Sequence, residues 1–241
     1  MTGRVIAVAS GKGGVGKTWF AITLAHALAR RGRRAVLLDA DLGLANADVQ
    51  LGLAPRRDLG DVLAGRATVE TATLAHPAGF HLLPGRSGSG ALAAAGEAAL
   101  ALPSLLAARF DEVVVDVGAG IGPAQRALVA GADLSLVLAT EEPTSLTDAY
   151  AVLKLLAADA PVADARLVVN MASGAAAGAR VHATLDTATR RFLSRGLALA
   201  GIVRRDPKVP DAIRAQSPLL ARHPGCNAAA DVEAIARLLA P

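Results

Sequence analysis

Residues 5–31 read VIAVASGKGGVGKTWFAITLAHALARR, and their order decides the fold. An apolar, β-branched run at 5–9 stops at Ser10. Gly11, Gly13, Gly14 and Gly16 follow, and an Ala/Leu-rich stretch of helical period begins at Lys17. Strand, glycine loop and helix in direct succession form a phosphate-binding unit, SGKGGVGKT at its centre. The glycines admit positive φ and turn successive N–H groups toward one point, with Val15 between them. The helix start adds the positive end of its dipole to the same point. Lys17 supplies a charge for the β- and γ-phosphates of a nucleotide, and the Thr18 hydroxyl a ligand for Mg²⁺. The alternative, a glycine-rich turn without a ligand, has to account for the whole pattern in its strand–loop–helix setting.

The same alternation continues to the other end of the chain. Candidate strands lie at 5–9, 35–38, 80–83, 113–117, 134–139, 167–170 and 199–203. Candidate helices lie at 17–31, 91–109, 123–131, 144–159, 177–195 and 227–240. Several strands are unbroken apolar runs, as expected where helices cover both faces. The pattern predicts an α/β fold with a doubly wound, mostly parallel sheet. The stretch 84–90, PGRSGSG, reads as a surface loop rather than a linker, so residues 1–241 are expected to form one domain. The chain of 241 residues is 53% apolar and 19% charged with net charge +4, which excludes a disordered chain. A single Cys, Cys226, excludes a disulfide framework and a cluster held by one chain's thiolates. No apolar run reaches the roughly 18 residues of a membrane span, and the start lacks the build of a secretion signal. A cytoplasmic protein is expected. Basic residues are dispersed, so direct DNA binding is not expected from charge.

Two more segments carry acids in the places nucleotide chemistry needs them. In VLLDADLGLANAD, at 36–48, Asp39 and Asp41 straddle one residue at the carboxyl end of the second strand, where ligands bind in open α/β sheets. In extended chain they point the same way and both can face the γ-phosphate; two solvated loop acids are the alternative. In VVVDVGAGIG, at 113–122, an apolar strand delivers Asp116 to the water shell of a Mg²⁺ ion. Gly118, Gly120 and Gly122 then make a segment able to change conformation with the γ-phosphate.

Lys12 sets this loop apart, because an ordinary phosphate loop needs only Lys17. KGGVGKT resembles the deviant Walker A motif of the MinD/ParA ATPases. That resemblance implies an ATP-dependent dimer in which Lys12 reaches the partner's nucleotide. It also implies metal-side support from Asp39, positioning of the attacking water by Asp41, and a contact of Asn46 with the partner near the nucleotide. By the same resemblance Asn170, at the end of LVVN, reads the adenine edge, and Arg205, Asp206 and Pro207 flank the base. The relatives have small or polar residues where Trp19 stands. Trp19 either packs in the helix or alters the base or dimer contact.

Within that family one Cys excludes the nitrogenase-type iron protein and the iron–sulfur scaffold ATPases, and argues against the arsenite-pump type. A single Tyr, Tyr150, excludes the tyrosine kinases with Tyr-rich tails. LLDADLGLANADVQLGLAP, VVVDVGAGIG, EEPTSLTDAYAVLKLL and VVNMA, in this order, look like the FlhG (FleN, YlxH) family of flagellar-number regulators over residues 4–240. The resemblance implies a regulatory ATPase using ATP/ADP and Mg²⁺. Its implied partners are a flagellar σ54-type transcription activator, the FlhF GTPase and C-ring proteins. The first strand begins near residue 4, so the N-terminal DQA-type motif with which some relatives stimulate FlhF is not expected. The last helix, NAAADVEAIARLLAP, has no aromatic and one basic residue, so core packing is expected over membrane insertion. A tail beyond residue 241 would place the protein at the pole or the inner membrane surface. A ParA-type partition ATPase that binds DNA nonspecifically and a MinD-like division-site factor are the alternatives.

Overall fold

The computed structural model describes residues 2–41, 43–85 and 97–239. In chain order the elements are β1 (Arg4–Ala9), α1 (Lys17–Arg30), β2 (Ala35–Ala40), α2 (Ala47–Gln50), α3 (Leu59–Leu63), α4 (Val69–Ala72), β3 (Leu74–Ala75) and β4 (His81–Leu83). Then come α5 (Glu97–Ala107), β5 (Glu112–Val117), α6 (Pro123–Ala130), β6 (Leu134–Ala139), α7 (Pro143–Asp159) and β7 (Ala165–Ala172). The chain closes with α8 (Ala175–Leu193), β8 (Ala198–Arg204), α9 (Lys208–Arg214), α10 (Leu219–Arg222) and α11 (Asn227–Leu239). The expected strands and long helices are present. The expected helix over 91–109 is seen as α5; residues 91–96, like the expected loop past residue 85, lie outside the described residues. The two-residue β3 and the helices of four to seven residues (α2, α3, α4, α9, α10) were not expected. Pieces that short carry no readable period.

The sheet runs β3-β4-β2-β5-β1-β6-β7-β8, parallel throughout except the β3/β4 edge pair. Parallel strands joined by right-handed crossovers fix which face each helix covers. From β1 the chain steps toward β2, so α1 lies on one face. The steps β4 to β5, β5 to β6, β6 to β7 and β7 to β8 run the opposite way, so α5, α6, α7 and α8 lie on the other.

Each parallel strand divides its apolar run between two cores. Ile6 and Val8 of β1 join Phe20, Leu24 and Leu28 of α1. Val5, Ala7 and Ala9 join Leu102 and Leu106 of α5 and Leu128 of α6. Phe20, Leu24 and Leu28 are fully buried. Each stabilises the α1 face by about 1.5–3 kcal/mol. The last helix closes that face: Ala228, Ala229, Val232, Ile235, Ala236 and Leu239 of α11 are buried. Gly201 lets α11 sit this close to β8, because a Cβ there would come 2.4 Å from Cγ1 of Ile235. The apolar side of α11 is core, as its composition predicted. No helix among the described residues is long and apolar enough to cross a membrane.

Connections leave β1 and its neighbour β6 in opposite directions. Their carboxyl ends therefore open a crevice at the switch point of the sheet.

Candidate nucleotide-binding site

The loop of residues 10–16 fills that crevice. Gly14 and Gly16 hold φ of 81° and 84°, a left-handed backbone that side chains resist. Gly16 is also pressed against β7: a Cβ there would lie 2.6 Å from Nδ2 of Asn170. Protein donors take the loop's outward carbonyls. Asn170 Nδ2 donates to Val15 O (2.8 Å), Ser10 Oγ to Lys12 O (2.7 Å), and Gly120 N to Ser10 O (3.0 Å). The first-turn N–H groups of α1 have no intrahelical acceptor, and Gly16 provides no side-chain cap. The positive end of α1 is thus left for an anion. Lys17, its first residue, is buried.

Two buried carboxyl groups stand side by side next to it. Asp39 of β2 and Asp116 of β5 are partners in the strand register and are 1% and 0% exposed. Asp39 accepts hydrogen bonds from the N–H groups of Asp41 (3.2 Å), Asn46 (3.1 Å) and Ala47 (3.0 Å), and so ties the start of α2 to the strand end. Burial pushes its pKa up to about 6 against the pull of those N–H groups, and the Asp41 charge adds to the push. Asp116 is different, since neither of its buried oxygens has a hydrogen-bond partner among the described residues. Burial, then the charge of Asp39, push its pKa up to about 7. The Thr18 hydroxyl and the Lys17 ammonium pull the other way; Thr18 is near enough to act on Asp116 without meeting hydrogen-bond geometry.

Asp41 lies just past the end of β2, half-buried, its Oδ1 accepting from Leu44 N (3.1 Å). A Cβ at Gly118 would meet that oxygen at 3.1 Å, so Asp41 rests on the glycine segment after β5. Lys12 points along the crevice to the start of α7, where its Nζ donates to Glu142 Oε2 (2.8 Å) and Thr144 Oγ1 (3.1 Å).

Beside the loop opens a cleft of about 360 Å³, lined by Lys12, Gly13, Gly14 and Val15 on one side and by Thr140, Glu141, Glu142, Met171, Ser173 and Arg205 on the other. The wall from β6 and β7 was not read from the sequence, although Glu141-Glu142 directly after an apolar strand was a usable signal. Glu141 fastens the two strand ends together by accepting from Ser173 N (2.5 Å) and Oγ (3.2 Å). Met171 enters the cleft through an irregularity in the β7/β8 register and takes φ of 55°.

Other expected site residues sit as follows. Asn170 ends up buried behind the loop, and Arg205 lines the cleft. Asp206 accepts from Lys208 N (2.9 Å) and Ala228 N (3.3 Å), holding the turn that carries the exposed Pro207. Asn46 is exposed at the head of α2. The side chain of Trp19 is 6% exposed, part of the α1 core rather than of the cleft wall.

Residues 6–219 match the CobQ/CobB/MinD/ParA nucleotide binding domain. The chain belongs to that family. Antiactivator FleN of Pseudomonas aeruginosa is 41% identical over 238 residues, 97% of this chain and 85% of the relative. The flagellum site-determining protein YlxH of Helicobacter pylori is 36% identical over 157 residues, 63% of this chain and 53% of the relative. The crystal structure of the cell division ATPase MinD of Pyrococcus furiosus superposes with a TM-score of 0.83 at 26% identity, covering 98% of both chains. The resemblance to the MinD/ParA ATPases, and within them to the flagellar regulators, is borne out, as is the doubly wound fold.

Proposed function

We propose that this MinD/ParA-family domain is an ATP-driven switch that restrains flagellar number. Two copies close on ATP, the paired form acts on its partners, and hydrolysis to ADP and phosphate resets it. The observation that supports this most is Asp116, buried and bare beside Asp39, within electrostatic reach of Lys17 and Thr18. Such a carboxylate is costly unless a cation joins it.

The donor set fits Mg²⁺. Among the described residues no three His, Cys, Asp or Glu side chains form a metal cage. Mg²⁺ in phosphate sites takes one or two protein ligands beside phosphate oxygens and water. Thr18 and Asp116 are that pair, with Asp39 supporting from the metal side. When bound, Mg²⁺ neutralises charge on the β- and γ-phosphates. The loop N–H groups and Lys17 cradle the phosphates. Asp41 accepts a hydrogen bond from the attacking water and holds it in line. Lys12 of a second copy offsets the charge that develops as the β–γ bridge breaks, and Asn46 contacts that copy. Nδ2 of Asn170 is occupied by Val15 O, so its Oδ1 is the atom left for the base, flanked by Arg205, Asp206 and Pro207.

The name antiactivator, carried by the FleN relative, supports a flagellar σ54-type transcription activator as the main partner. The FlhF GTPase and C-ring proteins are further ones. The reading places one domain, residues 1–241, in the cytoplasm. It does not include DNA as a ligand, since many arginines are already paired: Arg34 with Asp111, Arg166 with Asp164, Arg204 with Asp231 and Arg222 with Asp211.

Asp41→Ala tests the switch. With Mg-ATP it should still dimerise in sedimentation velocity but lose hydrolysis in a phosphate-release assay. Normal turnover in this variant would remove the water-positioning role.

A further inference from the structure

Helix α2 is a single turn, Ala47–Gln50, too short to stand on its own hydrogen bonds. Its start is tied to Asp39 through the N–H groups of Asn46 and Ala47, and Ala47 and Leu51 drop into the core on the α1 face. Its far end is held from outside. The Val49 carbonyl accepts from Gly52 N (3.2 Å) and from Nε2 of Gln216 (2.9 Å), a residue 167 positions away. We propose that Gln216 is a positioning residue for hydrolysis: it clamps the end of α2 and, through α2, fixes the carboxylate of Asp41. This rests on the reading above that Asp41 aligns the attacking water.

The first support is the way Gln216 is mounted. It stops α9 in a left-handed conformation, φ 51°, with Gln216 N bonded to Ile213 O (3.0 Å) and Ser217 N to Ala212 O (3.1 Å). Glycine is the usual residue at such a stop, and any other bears strain. The stop itself uses only backbone groups. What the glutamine adds is its amide, and that amide goes to α2. Ala212 before the stop and Leu219 and Leu220 after it are buried in the α1-face core, so the mount is rigid.

The second support is the fit. Gly52 also takes a positive φ, 64°, and a Cβ there would lie 3.1 Å from Cβ of Gln216. The bare backbone of residue 52 lets the glutamine stem lie against the end of α2. The third support is leverage. Asp41 stands outside β2, which ends at Ala40. Its Oδ1 accepts from Leu44 N (3.1 Å) in the exposed stretch that enters α2, and Nε2 of Gln50, on α2, donates to Oδ1 of Asn46 (2.9 Å) in the same stretch. A shift of α2 is therefore passed to the oxygen that faces the water.

The Gln216 bond is exposed, so water competes for the amide. Such a bond shifts an equilibrium by roughly two- to tenfold. Turnover should fall by that factor when the clamp is removed, because only the clamped arrangement aligns Asp41. A mere surface staple would show in the melting temperature and not in turnover.

Two variants of the full chain test this. Gln216→Glu keeps the shape of the side chain but turns the donor into an acceptor facing Val49 O. Gln216→Gly removes the amide and the backbone strain together, so it should melt no lower than the unsubstituted protein. Both should lower kcat two- to tenfold at saturating Mg-ATP, at protein concentrations where sedimentation shows complete pairing, with KM and ADP affinity unchanged. Both should also speed hydrogen–deuterium exchange of the amides at 46–53 in the nucleotide-free protein, while the strands exchange as before. Unchanged exchange at 46–53, unchanged kcat, or a loss of ADP affinity equal to the loss of kcat overturns the proposal. A weaker dimer whose turnover per pair is normal overturns it too. Normal hydrolysis by Asp41→Ala would sink the water-positioning reading instead, while exchange in the Gln216 variants would still report whether α2 is clamped.

Discussion

Asp116→Asn should make the nucleotide-free protein more stable at pH 8 while ending Mg²⁺-dependent hydrolysis. The carboxyl is fully buried, lacks a hydrogen-bond partner among the described residues and neighbours Asp39 in the register. Its pKa rises from 3.8 to about 7 on folding, from burial first and the Asp39 charge second. A group whose folded pKa is raised binds its proton more tightly in the native state. Stability therefore falls as pH rises from about 4 to about 7, and the full penalty is present above that window. At ~1.4 kcal/mol per tenfold, the penalty at pH 8 is on the order of 4 kcal/mol. Asn removes the charge but leaves a buried amide with poor partners, which costs about 1–3 kcal/mol. The net gain is on the order of 1–3 kcal/mol, or about 2–10 °C in Tm for a chain of this size. Near pH 5 the native carboxyl is already protonated and the gain should shrink toward zero or reverse. Thermal melts of both proteins from pH 5 to pH 8, without nucleotide, measure this directly. A Tm difference that does not vary with pH, or a variant less stable throughout, would refute the charge argument.

Lys17→Ala should abolish nucleotide binding, read by titration with a fluorescent ADP analogue, while the fold survives because the residue only begins α1. Gly16→Ala places a Cβ 2.6 Å from Asn170 Nδ2 at φ of 84°; stability should drop by about 1–3 kcal/mol and nucleotide binding should be lost together with it. Gly201→Ala, far from the cleft, drives a Cβ into Ile235 at 2.4 Å and should cost about 1–3 kcal/mol in a denaturant melt, with nucleotide affinity unchanged.

What could be read from the sequence was contiguous. The phosphate loop, the strand ending in Asp116 and the alternation of apolar runs each lie within a few neighbouring residues, and local geometry dictates their shape. The far wall of the cleft was not legible, because Thr140, Glu141, Met171 and Ser173 meet the loop only after β6 and β7 are laid beside β1. The partner of Lys12 was hidden for the same reason, 130 positions away. Asp39 and Asp41 show the limit of period-two reasoning. Both were expected at a strand end facing one way, yet β2 stops at Ala40, and Asp39 spends its carboxylate on the N–H groups of the loop that carries Asp41. Trp19 was expected either to pack in the helix or to alter the base or dimer contact, and the turn of α1 carries its side chain into the core.

β5 buries a second carboxylate, and the contrast between the two explains why the bare one points to function. Glu112 at the start of the strand is 1% exposed, yet Arg4 grips both its oxygens at 3.0 Å and Arg33 approaches to 3.6 Å. Four residues later Asp116 is equally buried and pairs with no arginine among the described residues, although the chain carries far more Arg than Lys. A fold that solves the burial of a carboxylate at one end of a strand and leaves it unsolved at the other is not short of cations. The uncompensated end is the one that faces the phosphate loop, where a permanent guanidinium would fill the place of an exchangeable ion. Keeping Asp116 bare costs stability in the empty protein and returns it on binding, so occupancy of the cleft and stability of β5 become linked. A ligand-free protein that melts lower than its Mg-nucleotide complex by more than the affinity of nucleotide alone, with Mg²⁺ itself omitted, is the thermodynamic signature of that linkage.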